Sequence, residues 1–249
     1  MKKLTTKDYV LKELELNRES FIAGSALAEN LGVSRNAIWK AINDLRQAGY
    51  DIEAISNKGY KLADNSDVIS SSGIEASLKA CSKLSNVSIK KLLSRLAIYE
   101  ELPSTNRAAK MNLITEELDT RIIIARTQTS GKGHSGSRFD SPEGGIYLSI
   151  IITPDELKKQ PLKTAAIGKV VGDVITDVTG KAITYDKESN RIFIGKKKVS
   201  GIMTEYFADL ETKEVNGYVI GIGIKYPNLP KNKTIALLLS SIYSELLKD

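Results

Sequence analysis

The segment Gln128-Thr129-Ser130-Gly131-Lys132-Gly133-His134-Ser135-Gly136 holds the residue types that most directly suggest chemistry. Three glycines at this spacing let backbone N–H groups converge on one anion, and Lys132 adds a positive charge. The spacing is G-x-G-x-x-G. The next stretch, Ser137-Arg138-Phe139-Asp140-Ser141-Pro142-Glu143-Gly144-Gly145, does not open the helix of a βαβ unit, so a dinucleotide site is not expected. A plain surface loop is the alternative to an anion cradle. A second cluster, Ser34, Arg35, Asn36, Trp39 and Lys40, lies at the start of a helical pattern. Arg and Asn side chains can make paired hydrogen bonds to guanine or adenine edges, and Lys40 suits a phosphate. Lys58, at the tip of a hairpin, could reach a minor groove or the backbone. Trp39 has two open readings, packing against that hairpin or touching DNA. His134 and Cys81 are the lone histidine and cysteine. They exclude a cluster of His or Cys metal ligands and an internal disulfide, and no metal is expected. His134 reads better as a loop residue with a local hydrogen bond than as a catalytic base.

The elements that must position these residues fall into two groups. Val10, Leu11, Leu14 and Leu16 are spaced for one helical face. Ser25 is expected to cap a short helix over 26–31. Gly32 makes a tight turn, and Ser34 caps a third helix running through Ile38, Ile42 and Leu45. Tyr50–Ile55 and Gly59–Leu62 read as strands around Asn57-Lys58-Gly59. Three helices with a tight second turn, then a hairpin, is the order of a winged helix-turn-helix, whose third helix enters a DNA groove. A helical protein-interaction domain is the blander alternative. We place this domain at 1–63, a polar linker at 64–73, and a mixed domain at 74–249. In the last, strand-like runs at Leu96–Tyr99, Arg121–Thr127, Ile146–Ile152, Ile192–Ile194, Ile202–Tyr206 and Tyr218–Ile224 accompany helix-like segments at Asn106–Asn112, Lys163–Thr179 and Lys233–Leu247. The 249 residues carry 36 Lys+Arg against 30 Asp+Glu, and the net charge of +6 permits a nucleic-acid partner without demanding one. Apolar runs such as Ile122–Ala125 fall far short of the roughly 20 residues that span a bilayer. The polar N-terminus lacks a signal-peptide core. A cytoplasmic protein with no membrane partner is expected.

Several motifs in order resemble one family. They are the winged helix, Pro103-Ser104-Thr105-Asn106, the glycine-rich loop with Ser141-Pro142 and Gly144-Gly145-Ile146-Tyr147-Leu148-Ser149, Lys197-Lys198-Val199-Ser200-Gly201-Ile202-Met203-Thr204-Glu205, and Ile220-Gly221-Ile222-Gly223-Ile224. Together they resemble the BirA-type biotin protein ligase and biotin-operon repressor family over essentially the whole chain. The resemblance implies an α+β fold: a winged helix-turn-helix followed by a mixed α/β domain of the biotin/lipoate ligase type. It implies that Ser104, Thr105 and Gln128 hold the ligand's ring, with Asn106 also in the ligand site, and that the loop of Gly131, Lys132, Gly133, His134, Ser135 and Gly136 folds over carboxylate and phosphate. Lys198, beside Gly201, matches the lysine that neutralises charge as the acyl adenylate forms. A cation at that point fits the chemistry. It also implies a homodimer on operator DNA.

Departures from the family pattern cluster at the chemistry. The loop's usual arginines are Lys132 and His134. The family's Lys-Trp-Pro-Asn-Asp aligns on Lys187-Glu188-Ser189-Asn190-Arg191, so a carboxylate has become a guanidinium. Lys225 stands where the family has Asn. The segment after it is short, and the C-terminal β-barrel of the ligases is expected to be missing. Arg grips phosphate with a planar fork that Lys and neutral His lack. The expectation is a transcriptional regulator on a ligase scaffold, sensing biotin, biotinyl-AMP or a related small acid, with ligase activity lost or weak. ATP and Mg would be needed only if that activity survives, with Lys198 then catalytic. DNA binding itself needs no cofactor. The alternatives are an active bifunctional ligase and repressor, and a dimeric DNA-binding scaffold without ligand.

Overall fold

The structure, a computed structural model, describes residues 5–133, 136–159, 161–208, 211 and 213–247. Helix α1 (Thr6–Leu16) begins with a reciprocal capping box between Thr5 and Asp8. Helix α2 (Gly24–Leu31) is not capped by Ser25, contrary to expectation. It starts at Gly24 behind an extended Ala23 that offers no side-chain cap. Gly24 packs closely on Tyr60: a Cβ there would lie 3.2 Å from the ring. Gly32 ends α2 at φ 62°, and the Ser34 hydroxyl accepts from the Ala37 N–H at 3.1 Å to open α3 (Arg35–Gln47). Strands β1 (Ile52–Ile55) and β2 (Gly59–Leu62) pair antiparallel, Ile52 opposite Leu62. Ile22 and Tyr60 exchange two backbone hydrogen bonds of 2.9 Å, which tie the hairpin to the chain ahead of α2. Val10, Leu14, Leu27, Ile38, Ile42, Leu45 and Leu62 form the core of this unit.

The segment after β2 is polar but pinned. Arg18 donates to the Ser66 carbonyl (2.7 Å), and Ser66 accepts from the Asp51 N–H (3.0 Å). Ile69 is buried. Helix α4 (Ser71–Cys81), capped by Ser70, packs against α1, and Lys12 pairs with Glu75 at 3.0 Å. Helix α5 (Asn86–Ser94) follows. Neither α4 nor α5 is anticipated by the sequence reading, because small and polar residues dilute their apolar stripes.

Glu15 of α1 sits in this junction, 5% exposed, with one oxygen on Arg18 and the other without a partner. Burial pushes its pKa up; Asp67 adds to the shift and Arg18 opposes it. Since the folded state holds the proton more tightly, Glu15 contributes most to stability below the ordinary value of 4.5 and loses that contribution as pH rises through its raised pKa. Glu15→Gln is therefore expected to flatten the pH dependence of stability as pH rises above the ordinary value of 4.5. Urea midpoints across that range test this; an unchanged slope would remove Glu15 as the source.

The larger domain is built on a seven-stranded sheet of β3 (Leu96–Leu102), β4 (Ile122–Gln128), β5 (Ile146–Ile152), β6 (Thr184–Asp186), β7 (Arg191–Ile194), β8 (Lys197–Ala208) and β9 (Val215–Ile224). The order is β3-β4-β5-β9-β8-β7-β6, with β3 and β4 parallel and all other neighbours antiparallel. Alternation along the strands gives the sheet two different faces. Ile122, Ile124, Leu148, Ile150, Ile220 and Ile222 share one apolar core with residues of α4, of α7 (Thr164–Thr179) and of α8 (Lys231–Leu246). On the other face, Ile123, Ile151 and Val219 lie under Ala109 of α6 (Thr105–Ile114). Beyond α6 that face carries mainly small and polar residues, Ser149, Gly201, Glu205, Gly221 and Gly223, with Met203 among them.

Helix α8 follows Pro230, which cannot cap it. Asp67 does so from across the chain, accepting from the Lys231 and Asn232 N–H groups. Asn232 accepts from the Ser70 N–H (3.0 Å) and donates to the Val68 carbonyl (2.9 Å). No helix among the described residues is long and apolar enough to cross a membrane.

Candidate ligand pocket and nucleic-acid interface

Ser34, Arg35, Asn36, Trp39 and Lys40 are all exposed at the N-terminal half of α3, and Lys58 is exposed at the hairpin tip. The two readings of Trp39 separate here. At 58% exposure its ring is not packed beneath the hairpin. The Ser34 hydroxyl is engaged as the cap of α3. The helix thus presents a guanidinium, an amide, an indole and an ammonium on one open surface, the set needed to read base edges and grip phosphates.

A cleft opens on the small-residue face of the sheet, beside the start of α6. Ser104, Thr105, Asn106, Gln128, Lys132, Gly133, Lys198 and Gly201 line it, as expected from the sequence. Gly131 and Gly136 lie outside this lining. Gly131 has a packing role: a Cβ there would come within 2.4 Å of the Phe139 carbonyl. Gly136 has φ 74°. His134 and Ser135 lie outside the described residues.

One hydrogen-bonded chain orders the cleft's neutral end. Lys110 of α6 pairs with Glu205 of β8, and Glu205 accepts from the Asn106 amide at 3.0 Å. Asn106 in turn accepts from the Ser149 hydroxyl (2.6 Å), which also lies 2.8 Å from the Thr105 hydroxyl. The Thr105 N–H donates to Gln128 (2.8 Å), and Gln128 donates to the Ser141 hydroxyl (2.8 Å). Both ends of the Asn106 and Gln128 amides are thereby fixed, which makes the site rigid toward a polar ring. Glu205, Lys110 and Ser149 escaped the sequence reading, since their contacts join residues far apart in the chain.

The other end is cationic. Lys132, Arg138, Arg191 and Lys198 line it, and none has an ion-pair partner among the described residues. Arg191 lies opposite Gly201 in the β7–β8 register, which puts it on the cleft face. Lys225, at the end of β9, is held by its N–H to the Val199 carbonyl (2.7 Å) and reaches Asp140 only at 3.9 Å. The Phe139 ring covers the floor: a Cβ on Gly223 would lie 2.5 Å from it and one on Gly201 3.2 Å. The Lys198 and Lys225 ammonium groups sit 5.3 and 5.1 Å from the ring centroid. Burial, then Arg191 and Lys225, push the Lys198 pKa down from its ordinary value. With Phe139 in place the free space is about 50 Å³. Arg138, Phe139 and Arg191 were not singled out as ligand residues from the sequence; the charge reversal at Arg191 was the available signal.

Comparison with known proteins gives two family matches. An HTH domain family matches residues 6–61, and the biotin/lipoate A/B protein ligase family matches residues 98–225. The chain is 34% identical over 233 residues to the bifunctional ligase/repressor BirA of Bacillus subtilis, covering 90% of this chain and 68% of that protein. It is 29% identical over 209 residues to the Escherichia coli protein of the same name, covering 82% and 59%. The chain thus spans about two thirds or less of these relatives' lengths. Among solved structures, a biotin acetyl coenzyme A carboxylase synthetase from Helicobacter pylori with bound biotinylated ATP superposes with a TM-score of 0.51 at 21% identity, over 61% of this chain and 74% of that one. That likeness shows the shared fold.

Proposed function

The chain belongs to the biotin/lipoate A/B protein ligase family, with an HTH domain ahead of the ligase-like one, and from this premise we propose that it is a cytoplasmic, DNA-binding transcriptional regulator whose pocket senses a small acid instead of activating it. The effector class includes biotin, biotinyl-AMP and related acids. Two copies act together on operator DNA through α3 and the hairpin. The observation that carries the reading is Arg191. Its guanidinium lines the cleft with Lys198, where the resembled family pattern has a carboxylate. A cation there cannot accept a proton from, or orient, an incoming lysine amine. The exposed set on α3 and the fixed Ser104–Thr105–Gln128 corner support the two halves of the proposal.

A second reading has its own support. Lys198 still lines the cleft with the Thr105–Gln128 pair intact, which suits an active ligase that is also a repressor, taking ATP and Mg. Isothermal titration with biotin, with and without ATP, followed by mass spectrometry of the bound species, separates them. The regulator binds biotin or added biotinyl-AMP without turnover. Formation of biotinyl-AMP from biotin and ATP would establish the ligase. Absence of any heat or thermal shift with both compounds would leave a scaffold without this ligand, since a specific ligand at 100-fold over its Kd stabilises a fold by about 2.7 kcal/mol.

A further inference from the structure

We infer that Glu15 is a proton-operated latch between the helix-turn-helix unit and the sheet domain: with a proton on its carboxyl the junction stays closed, and loss of that proton opens it. The inference goes beyond the regulator reading and does not depend on it. Three elements meet at this carboxyl. Glu15 belongs to α1, Gly73 to α4 and Asn232 to α8. A Cβ on Gly73 would lie 2.9 Å from Glu15 Oε1 and 2.5 Å from Asn232 Nδ2, so the three pack without spare room. Glu15 is 5% exposed, and its Oε1 has no hydrogen-bond partner among the described residues. The groups around it suit a neutral carboxyl better than an anion. Arg18, just past α1, donates to Oε2 at 2.7 Å and also to the Ser66 carbonyl at 2.7 Å. Asp67, from the segment after β2, adds a like charge and pairs with Lys231 of α8 at 3.5 Å. Tyr50, ahead of β1, stands near both Glu15 and Arg126 of β4, and Arg126 pairs with Glu100 at 3.1 Å. Glu75 of α4 takes up Lys12 at 3.0 Å and Lys79 at 2.7 Å. Apart from Arg18, each of these cations thus has another anion as its partner. A dry carboxylate beside a second one carries a cost that its protonated form escapes. Burial, with a smaller part from Asp67, accordingly holds the Glu15 pKa above its ordinary value against Arg18. Parting α1 from α4 lets water reach the carboxylate and removes that cost. The two units have separate apolar cores, so the junction can open while both stay folded.

Hydrogen exchange of the full chain, read by mass spectrometry, tests the latch. At each pH the exchange rate of the wild type is divided by that of Glu15→Gln, which cancels the chemical pH dependence of exchange. The amides to follow are the Ser70 N–H, bonded to Asn232 at 3.0 Å, and the Lys231 and Asn232 N–H groups, bonded to Asp67. One proton released on opening makes the ratio rise about tenfold per pH unit above the ordinary value of 4.5, until it levels off at the raised pKa. The junction amides should also exchange faster than those of α3 and β5 in the two cores. Low urea should leave them unaffected while it speeds the core amides, because opening the junction exposes little surface. Gly73→Ala is an independent variant. Its added carbon presses on Glu15 and Asn232, so the junction should exchange fast even at low pH and lose most of its response to pH. A ratio that stays flat with pH would overturn the inference. So would junction amides that track α3 or β5 in rate and urea response, since the proton would then leave only when a whole unit unfolds. A response to pH in Gly73→Ala as steep as that of the wild type would overturn it too.

Discussion

Replacing Arg35 with alanine is expected to weaken specific DNA binding by about 1–3 kcal/mol, roughly five- to 150-fold. Arg35 is the first residue of α3 and is exposed beside Asn36 and Trp39. Alanine does not disturb the helix, because Ser34 supplies the cap and alanine is the better helix former. The loss therefore reports the contact alone. A duplex selected by the wild-type protein from a random pool, compared with an unrelated duplex at the same salt, makes the measurement. A base contact lowers affinity for the selected duplex far more than for the other. Equal losses on both would reassign Arg35 to the phosphate backbone, the behaviour expected of Lys40.

Gly59→Ala should be the most damaging single change in the DNA-binding unit. Gly59 has φ 109°, a conformation that costs an L-residue about 1–2 kcal/mol on its own. A Cβ at this position would lie 2.0 Å from the Ile22 carbonyl oxygen and 2.7 Å from the Ala23 Cα, both backbone atoms with nowhere to go. Relief requires breaking the paired Ile22–Tyr60 hydrogen bonds, so the total exceeds about 2 kcal/mol, and the hairpin carrying Lys58 is displaced. Gly32→Ala is the matched control. It has φ 62° and open space around the added carbon, so only the conformational cost applies. Urea denaturation should rank Gly59→Ala well below Gly32→Ala. Similar losses would mean that the hairpin attachment yields easily.

What the sequence makes legible is local. Ser34 three residues before Ala37, Gly32 between two helical patterns, and Asn57-Lys58-Gly59 between two apolar runs specify a cap, a left-handed turn and a hairpin through short-range sterics, and all three are found. Ile146–Ile152 is apolar except for Ser149 because it is central in the sheet and fully buried. The Ser25 cap fails because α2 starts one residue earlier, at Gly24 behind an extended Ala23, so Ser25 is already inside the helix. The short β6 and the polar-faced α4 and α5 carry too few apolar residues to announce themselves. The cleft divides the same way. Ser104, Thr105, Gln128 and Lys198 are visible as motifs, but Phe139 between two lysines and the Lys110–Glu205–Asn106 chain come from strand order and register. Those depend on pairings between residues up to about a hundred positions apart, which no local pattern encodes.

Asp67 and Asn232, by fastening the polar segment between the two domains onto the start of α8, would also fix the geometry of DNA reading by the proposed regulator. A loose tether would let two copies of the chain adapt to half-sites at varied distances. Here each α3 is held to its own sheet by hydrogen bonds and by the α1–α4 contact, so on the proposed reading a pair of copies would act as a ruler. Its divisions are base-pair steps of about 3.4 Å, each accompanied by a rotation around the duplex axis. Inserting one base pair between half-sites therefore moves the second groove both away from and around the helix waiting for it. If the proposed regulator reading holds, the tolerance of its DNA site to such insertions would be set by how firmly Asp67 holds α8.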